Sequence, residues 1–224
     1  MARWAVVSKA KLISVNVGQP RDVLWRGRPV TTGIFKQPVQ DRVAVRTLNL
    51  EGDRQADLSV HGGLDKAVYA YPAEHYSYWQ KELPDMQFPC GVFGENFTTE
   101  GLLEEEVSIG DQFRIGSAEL MVTQPRLPCY KLGIRFGRDD IIKRFMAAGR
   151  PGFYLRVLRE GEVGAGDAIE RISREDDQVT ISDIFRLIGK ERDDIATLRR
   201  AVQVKALPQI LRGHFLDRLE RRGH

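Results

Sequence analysis

The chain contains 224 residues, of which 42% are apolar, and its formal net charge is +3. This length and apolar content predict one domain with a full hydrophobic core plus an appendage, while the small charge, with no concentrated stripe of Lys and Arg, argues against specific nucleic-acid binding. No apolar run approaches membrane-spanning length. The two cysteines rule out a disulfide-rich scaffold and make a reducing cytoplasm the expected compartment. They are also too few to supply the four ligands of a typical iron–sulfur cluster.

Residues 1–173 are predicted to be rich in β-structure. The N-terminus is interrupted by charge too early to serve as a signal peptide. Alternating or β-branched runs predict strands at residues 11–17, 42–46 and 67–71. Two hairpins are expected, one joining residues 112–115 to 118–123 through a glycine turn and one running from residues 153–158 back to 168–172. Many short strands without regular βαβ alternation predict a barrel or a sandwich.

Helices are predicted in two places. Two short ones interrupt the β-rich part, at residues 72–83 and from a cap at Asp139 to Gly149. After Arg174 the pattern changes to three amphipathic helices, at residues 182–190, 194–204 and 208–222. The sequence therefore predicts a mainly β domain over residues 1–173 and a helical domain over residues 174–224.

Cys129 lies in an unusual setting, the segment Gln124-Pro125-Arg126-Leu127-Pro128-Cys129-Tyr130-Lys131-Leu132. The two prolines favour an extended, stiff backbone before the thiol. The flanking cations Arg126 and Lys131 are expected to lower the pKa of the thiol, which favours a metal ligand or a nucleophile. The alternative, a small buried cysteine that only contributes packing, remains open.

Two other segments are candidates for a binding site. In His61-Gly62-Gly63-Leu64-Asp65-Lys66, the glycines allow bare backbone to approach a ligand, while His61 or Lys66 supplies a polar contact. An ordinary glycine turn is the alternative. In Gly94-Glu95-Asn96-Phe97, the polar pair lies between apolar residues, so its side chains are expected to be exposed or, if buried, paired.

The order of these three motifs resembles the MOSC family, named for the C-terminal domain of molybdenum cofactor sulfurase, and most of all its small stand-alone YiiM-like branch. The resemblance covers nearly the whole chain. It implies a β-barrel core followed by a small three-helix bundle, and binding of the molybdenum cofactor (Mo-molybdopterin) with Cys129 as the protein ligand to the metal. It also implies reduction of N-hydroxylated compounds, such as hydroxylaminopurine-type base analogues, with electrons from a partner reductase.

The resemblance also suggests roles for the other motif residues. Arg126 and Lys131 would neutralise the phosphate or an oxo group of the cofactor, and Gly62 and Gly63 would bring backbone amides to the pterin. Asn96 would read an edge of the pterin ring, and Glu95 would accept from pterin amines or orient a neighbouring base.

Proton donation has two candidates in the sequence, His61 and Tyr130. A tyrosine that only packs beside the metal loop is an equal alternative for Tyr130. Lys66 is expected to contact the cofactor. The resemblance leaves no place for pyridoxal phosphate, because the aminotransferase-like domain that uses it in the full sulfurase is absent here.

Three functions are compatible with the residues. The first is the reductase, and the second is a non-catalytic carrier of the cofactor or of sulfur. The third is a cysteine hydrolase built on Cys129 and His61, for which the sequence shows neither an orienting acid nor an oxyanion hole. The helical tail has three candidate roles: docking the reductase, covering the pocket or forming a homodimer.

Overall fold

The computed structural model describes residues 10–54, 62–189 and 194–223. Within these ranges it contains twelve strands, six α-helices and a single 3-10 turn at Leu64–Lys66. The strands are β1 Lys11–Val17, β2 Arg21–Trp25, β3 Arg28–Thr32, β4 Gln37–Val39, β5 Val43–Val45, β6 Val68–Pro72, β7 Phe97–Glu100, β8 Gln112–Ile115, β9 Ala118–Pro125, β10 Phe153–Arg159, β11 Gly161–Val163 and β12 Ile169–Ser173. The helices are α1 Glu74–Glu82, α2 Tyr130–Phe136, α3 Ile141–Ala148, α4 Ile181–Ile188, α5 Ile195–Gln203 and α6 Gln209–Glu220.

Eight strands form one sheet in the order β12-β8-β9-β10-β6-β7-β1-β4. The pairs are antiparallel except for β6 and β7, which run parallel. The sheet is curved enough for its two ends to meet, because Lys11 bridges Ala168 just before β12. The predicted barrel is nevertheless not closed among the described residues. The outer edge of β1 is already paired with β4 from Val15 to Val17, so only its first residues remain free to contact the β12 side.

The first predicted hairpin is confirmed and the second is wrong. Strands β8 and β9 pair through the Gly116-Ser117 turn, as expected from the local sequence. Strand β10 does not pair with β12; it lies between β9 and β6. The short strand β11 intervenes in the chain and pairs with β5, so β12 reaches the sheet at β8 instead.

The C-terminal helices are packed onto the sheet. Helix α4 begins with a capping box between Thr180 and Asp183, which satisfies backbone donors of its first turn. Ile184, Leu198 and Phe215, one from each helix, are fully buried in the same apolar cluster as residues of β8 and β9. The predicted helices after the β-rich part are thus confirmed. The boundary predicted at 173/174 falls between β12 and α4, where the apolar core continues without a break.

A second cluster, rich in aromatic residues, packs α1 and α3 against β6 and the loop before β7. Trp79 lies at its centre and donates its indole N–H to the Tyr71 hydroxyl at 2.7 Å. Strands β2 and β3 form a separate hairpin whose Trp25 packs on α2, where a Cβ on Gly133 would lie 3.5 Å from the indole ring. Across the described ranges, no helix has the length and apolar character required to span a membrane.

Candidate functional site

A cavity of about 330 Å³ lies where the loop after β9 meets the residues that follow the β2–β3 hairpin. This volume is within the range of small-molecule sites. Its lining combines glycines and prolines with basic, aromatic and amide side chains and one thiol. The lining residues are Thr32, Gly33, Ile34, Lys36, Arg54, Lys66, Tyr69, Gly94, Asn96, Gln124, Pro125, Arg126, Leu127, Pro128, Cys129, Lys131 and Tyr154.

One wall of the cavity is a row of side chains across three adjacent strands. Gln124 of β9 lies opposite Tyr154 of β10, which in turn lies opposite Tyr69 of β6. Residues paired across neighbouring strands point to the same face of a sheet. Asn96 extends the row, because its backbone N–H donates to the Tyr69 carbonyl at 2.8 Å.

Cys129 is half-buried and lines this cavity. Its backbone is extended, with φ −122° and ψ 173°, and the chain enters α2 at the next residue. Pro125 and Pro128 disfavour helix at the residues before them, and the loop is non-helical up to Cys129. The thiol therefore lies at the end of a stiff segment, beside Arg126 and Lys131, which line the same cavity.

Arg126 is the most deeply buried cation of the cavity, with 5% of its surface exposed. Its guanidinium lies 5.1 Å from the centre of the Tyr69 ring and 5.3 Å from that of Phe145. Nη1 is buried and has no hydrogen-bond partner within the described ranges. Burial disfavours its charge, but favourable interactions with Tyr69, Tyr154 and the Cys129 sulfur prevail and raise its pKa. A buried guanidinium with an unsatisfied N–H is suited to binding an anion.

The cavity is strongly positive. Lys36, Arg54, Lys66 and Lys131 join Arg126 in the lining, and none of the described lining residues is a carboxylate. Lys36 is neutralised, since its ammonium pairs with the buried carboxylate of Asp53 behind the wall. Burial lowers the pKa of Lys36, and Asp53 opposes this effect. Arg54, Arg126 and Lys131 also bring positive charge to the lining, and this charge suits an anionic ligand.

Lys66 reaches the cavity from the turn Leu64–Lys66. The Thr123 hydroxyl donates to the Asp65 carbonyl at 2.7 Å, and the Asp65 carboxylate pairs with Arg156 of β10. These contacts fix the turn against the ends of β9 and β10, which sets the position of the lysine.

Glu95 and Asn96 have partners within the protein. The Glu95 carboxylate accepts from the backbone N–H groups of Gly91 at 2.7 Å and Phe93 at 2.9 Å, and from the Tyr76 hydroxyl. Its side chain is fully buried and does not line the cavity. Burial raises its pKa, although these hydrogen bonds oppose the shift. Glu95 thus orders the loop that presents Gly94 to the cavity.

Asn96 does line the cavity, but its amide is engaged elsewhere. Its Oδ1 accepts from the Tyr69 backbone N–H at 3.1 Å, and its Nδ2 donates to the Asp53 carboxylate at 2.9 Å and the Asn16 carbonyl at 3.4 Å. Asn96 therefore joins Tyr69 of β6 to Asn16 and Asp53 while it lines the cavity, and its contact with an edge of the pterin stays a prediction.

The other predicted site residues do not line the cavity or lie outside the described residues. Gly62 and Gly63 precede the turn that carries Lys66, and neither lines the cavity. Gly63 has φ +95°, a conformation that favours glycine. Tyr130 is 51% exposed and also lies outside the lining. His61 falls outside the described residues.

Sequence reasoning missed Tyr69, Tyr154 and Lys36. Tyr69 and Tyr154 lie within strand patterns, which is where aromatic residues usually serve the core. The only available signal was that these strands end near the motif segments. Their convergence depends on β10 entering between β9 and β6, and the sequence indicated a different pairing for β10.

The donor set limits how this cavity could hold a metal. Within the described ranges, no group of three His, Cys, Asp or Glu side chains is arranged to bind a metal ion. A metal bound through Cys129 would therefore have to bring most of its ligands with it, as a metal already held by an organic dithiolene does. The Arg126 N–H without a partner in the described ranges and the neighbouring Lys131 fit such an anionic group.

Two family models match the chain. Residues 57–170 match the MOSC domain, and residues 179–222 match the YiiM-like three-helix domain. The first match spans the three motifs and most of the sheet, and the second spans α4 to α6.

Three named proteins are similar over most of the chain. An uncharacterised protein of Bacillus subtilis, YflK, is 39% identical over 94% of this chain and 95% of its own length. The YiiM protein of Escherichia coli is 42% identical over 70% of each chain. A protein of Gibberella moniliformis named "Reductase" is 33% identical over 86% of this chain, which corresponds to 35% of that longer protein.

Solved structures of YiiM proteins have the same fold as this chain. The crystal structure of YiiM from Geobacillus stearothermophilus superposes with a TM-score of 0.79 at 35% identity, covering 94% of this chain and 99% of that one. That of YiiM from Escherichia coli gives 0.76 at 29% identity, covering 97% and 95%. Sequence motifs, sheet, helical tail and relatives agree, and the chain belongs to the MOSC family, in the YiiM-like branch that joins this domain to three C-terminal helices.

Proposed function

We propose that this protein binds the molybdenum cofactor in the cavity beside Cys129 and reduces N-hydroxylated compounds with electrons from a partner reductase. The observation that carries the proposal is the pairing of a half-buried thiol with the buried Arg126, whose Nη1 has no partner within the described ranges. A thiol supports metal binding, and an unsatisfied guanidinium supports binding of an anion at the same place.

Cys129 would be the protein ligand to the metal. The charges of Arg126 and Lys131 favour its thiolate form, which is the form that binds metals. Soft sulfur ligands suit a metal already held by dithiolene sulfur. The half-buried Cys129 lines the cavity from an extended backbone just before α2, where its thiol could meet a bound metal.

The basic side chains would hold the anionic parts of the cofactor. Arg126 offers a fixed, planar set of donors inside the protein, whereas Lys66 and Lys131 offer more mobile point charges. Bare backbone at Gly33 and Gly94 allows close approach to the lining. When bound, the cofactor supplies the two-electron chemistry, and the protein supplies binding, orientation and protons.

The overall reaction converts R–NHOH, two electrons and two protons to R–NH₂ and water. A reductase activity is supported by the name of the relative from Gibberella moniliformis, in which the segment similar to this chain is 35% of a longer protein. The additional length of that protein would be the place for an electron-donating domain, which this chain would find in a separate partner.

The test is expression in a host that makes the cofactor, followed by metal and pterin analysis of the purified protein. We expect molybdenum and pterin to be bound together, and turnover of hydroxylaminopurine with an artificial electron donor. The Cys129→Ser variant should stay folded by circular dichroism and lose turnover. Bound cofactor without turnover would favour the non-catalytic carrier, and thiol acylation without any metal would favour a hydrolase.

A further inference from the structure

A chain of side-chain contacts links helix α1 to the segment that precedes β10. The buried Glu104 carboxylate accepts from the Gly152 backbone N–H at 2.7 Å through Oε1. Its Oε2 lies 2.6 Å from Nε2 of His75, which is also buried. The other ring nitrogen of His75, Nδ1, lies 2.9 Å from Nη1 of Arg150. These four residues lie outside the cavity lining.

The contacts fix which ring nitrogen of His75 carries the hydrogen. A guanidinium has donors only, so His75 Nδ1 accepts from Arg150. In a ring whose Nδ1 accepts, Nε2 carries the hydrogen and donates it to Glu104. Both oxygens of Glu104 therefore accept hydrogen bonds, one from the His75 ring and the other from the Gly152 backbone.

The segment that Glu104 holds also supports two residues of the cavity wall. The Tyr69 hydroxyl donates to the Pro151 carbonyl at 2.8 Å, and the Arg126 backbone N–H donates to the Gly152 carbonyl at 3.3 Å. Gly152 has φ +61°, and a Cβ there would lie 2.4 Å from a backbone oxygen of β6. A side chain has no room at this position, so the hydrogen bond to Glu104 anchors the segment through its backbone.

We propose that Glu104 is a positioning residue for the Arg126 guanidinium. Oriented by His75, it holds residues 151–152, and these residues hold Arg126 and the Tyr69 ring, whose centre lies 5.1 Å from the guanidinium. The role rests on the proposed function in so far as Arg126 would hold the cofactor. Inorganic phosphate, however, can report on the guanidinium without any cofactor.

The test is the affinity of the cofactor-free protein for inorganic phosphate, measured by isothermal titration calorimetry. Wild-type protein should bind phosphate, and Arg126→Gln should remove this binding. In Glu104→Gln the new amide keeps an acceptor for Gly152, but its N–H₂ faces the Nε2–H of His75, so that two donors oppose each other. We expect phosphate binding to weaken about 10-fold, as is common when an outer partner of a ligand-binding group is lost.

Glu74→Gln is the matched control. The Glu74 carboxylate also accepts from a glycine N–H, that of Gly101 at 2.7 Å, but neither residue lines the cavity. This variant should bind phosphate as the wild-type protein does. An equal loss in Glu74→Gln and Glu104→Gln would show a general effect of replacing a loop-anchoring carboxylate and would overturn the role.

A second substitution separates positioning from simple loss of packing. Arg150→Met removes the donors that face Nδ1, so the His75 ring can carry its hydrogen there and accept from the new amide at Nε2. The double variant Glu104→Gln/Arg150→Met should therefore regain most of the phosphate affinity that Glu104→Gln loses. If Glu104 contributed packing alone, the second substitution would restore nothing.

Nitrogen-15 chemical shifts of the His75 ring test the arrangement without any substitution. In wild-type protein Nε2 should carry the hydrogen and Nδ1 should not, and a protonated Nδ1 would overturn the arrangement on which the role depends. In the double variant, if the protein folds as judged by circular dichroism, the hydrogen should lie on Nδ1.

The outcomes separate this role from the proposed function. An unchanged phosphate affinity in Glu104→Gln, or a double variant that binds no better than Glu104→Gln, would overturn the role and leave the reductase standing. Wild-type protein that binds no phosphate would also overturn the role. Phosphate binding that depends on Glu104, in a protein that takes up no molybdenum in a cofactor-producing host, would overturn the proposed function and leave the positioning role standing.

Discussion

The buried ion pair behind the cavity wall gives the sharpest prediction on stability. Asp53 and Lys36 have side-chain exposures of 1% and 8%. The Asp53 carboxylate accepts from the Lys36 ammonium, from the Gly18 backbone N–H at 2.9 Å and from Asn96 Nδ2 at 2.9 Å. Asp53→Asn would leave the Lys36 charge buried without its counter-charge. It would also place an amide N–H₂ where three donors now point at the carboxylate.

Removing one member of a buried pair typically costs about 3–5 kcal/mol of unfolding free energy. Urea unfolding of Asp53→Asn, followed by tryptophan fluorescence and far-ultraviolet circular dichroism, should show a loss of this size. The double variant Lys36→Met/Asp53→Asn removes both charges, so it should be more stable than Asp53→Asn alone by at least about 1 kcal/mol. Two results would refute the ion pair as a source of stability. One is a loss of less than about 1 kcal/mol in Asp53→Asn, and the other is a double variant whose loss equals the sum of the losses in the two single variants.

Three further predictions concern the loop and the tail. Burial raises the pKa of Glu95 above its ordinary 4.5, so the folded protein binds the proton of the Glu95 carboxyl more tightly than the unfolded chain does. The stability gained from this proton is complete below pH 4.5 and is lost as the pH rises through the pKa of the folded state. The unfolding free energy of wild-type protein relative to Glu95→Gln should therefore decrease from pH 4.5 toward neutral, and a difference that grows with pH would contradict this. Gly94→Ala should lower the melting temperature, with a cost of about 1 kcal/mol or more, because φ is +81° and the new Cβ would lie 2.8 Å from Ile34 Cγ1; an unchanged melting temperature would count against the loop conformation. Deletion of residues 174–224 should give insoluble or unfolded protein, since the helices share a core with the sheet, and a soluble fragment with native-like circular dichroism would show that the β-rich part folds alone.

The sequence predicted well whatever depends on near neighbours. The β8–β9 hairpin follows from two short alternating runs around Gly116-Ser117, and the three tail helices follow from amphipathic patterns separated by charged or proline-bearing joints. The non-helical run that ends at Cys129 follows from Pro125 and Pro128, which disfavour helix at the residues before them. Each of these depends on interactions within a few residues, which a sequence displays directly.

Long-range pairing was harder to predict. Strand β10 joins β9 to β6, which lie far apart in the chain, and this pairing brings Tyr154 beside Tyr69. The local pattern around residues 153–158 is compatible with a hairpin, and nothing in that pattern identifies the actual neighbours. The prediction of a closed barrel was wrong for a related reason. The sequence does not show that β4 pairs with the edge of β1 that closure would require.

The candidate site was anticipated in part. The lining contains Lys66, Asn96, Arg126, Cys129 and Lys131, all indicated by the motifs. Glu95 shows why motif residues are ambiguous. A carboxylate between apolar residues is exposed or paired, and here four donors from its own loop and from neighbouring side chains surround it. Glu95 therefore orders the loop that presents Gly94 to the cavity, and the Glu95 side chain itself stays outside the lining.

The measurement that tests the central claim most directly is the number of sulfur atoms around bound molybdenum, determined by X-ray absorption for wild-type protein and Cys129→Ser. If the Cys129 sulfur completes the metal site, the variant should show one sulfur ligand fewer while its circular dichroism stays the same. An unchanged sulfur count would contradict the ligand assignment, and a wild-type protein that takes up no molybdenum in a cofactor-producing host would contradict the proposed function itself.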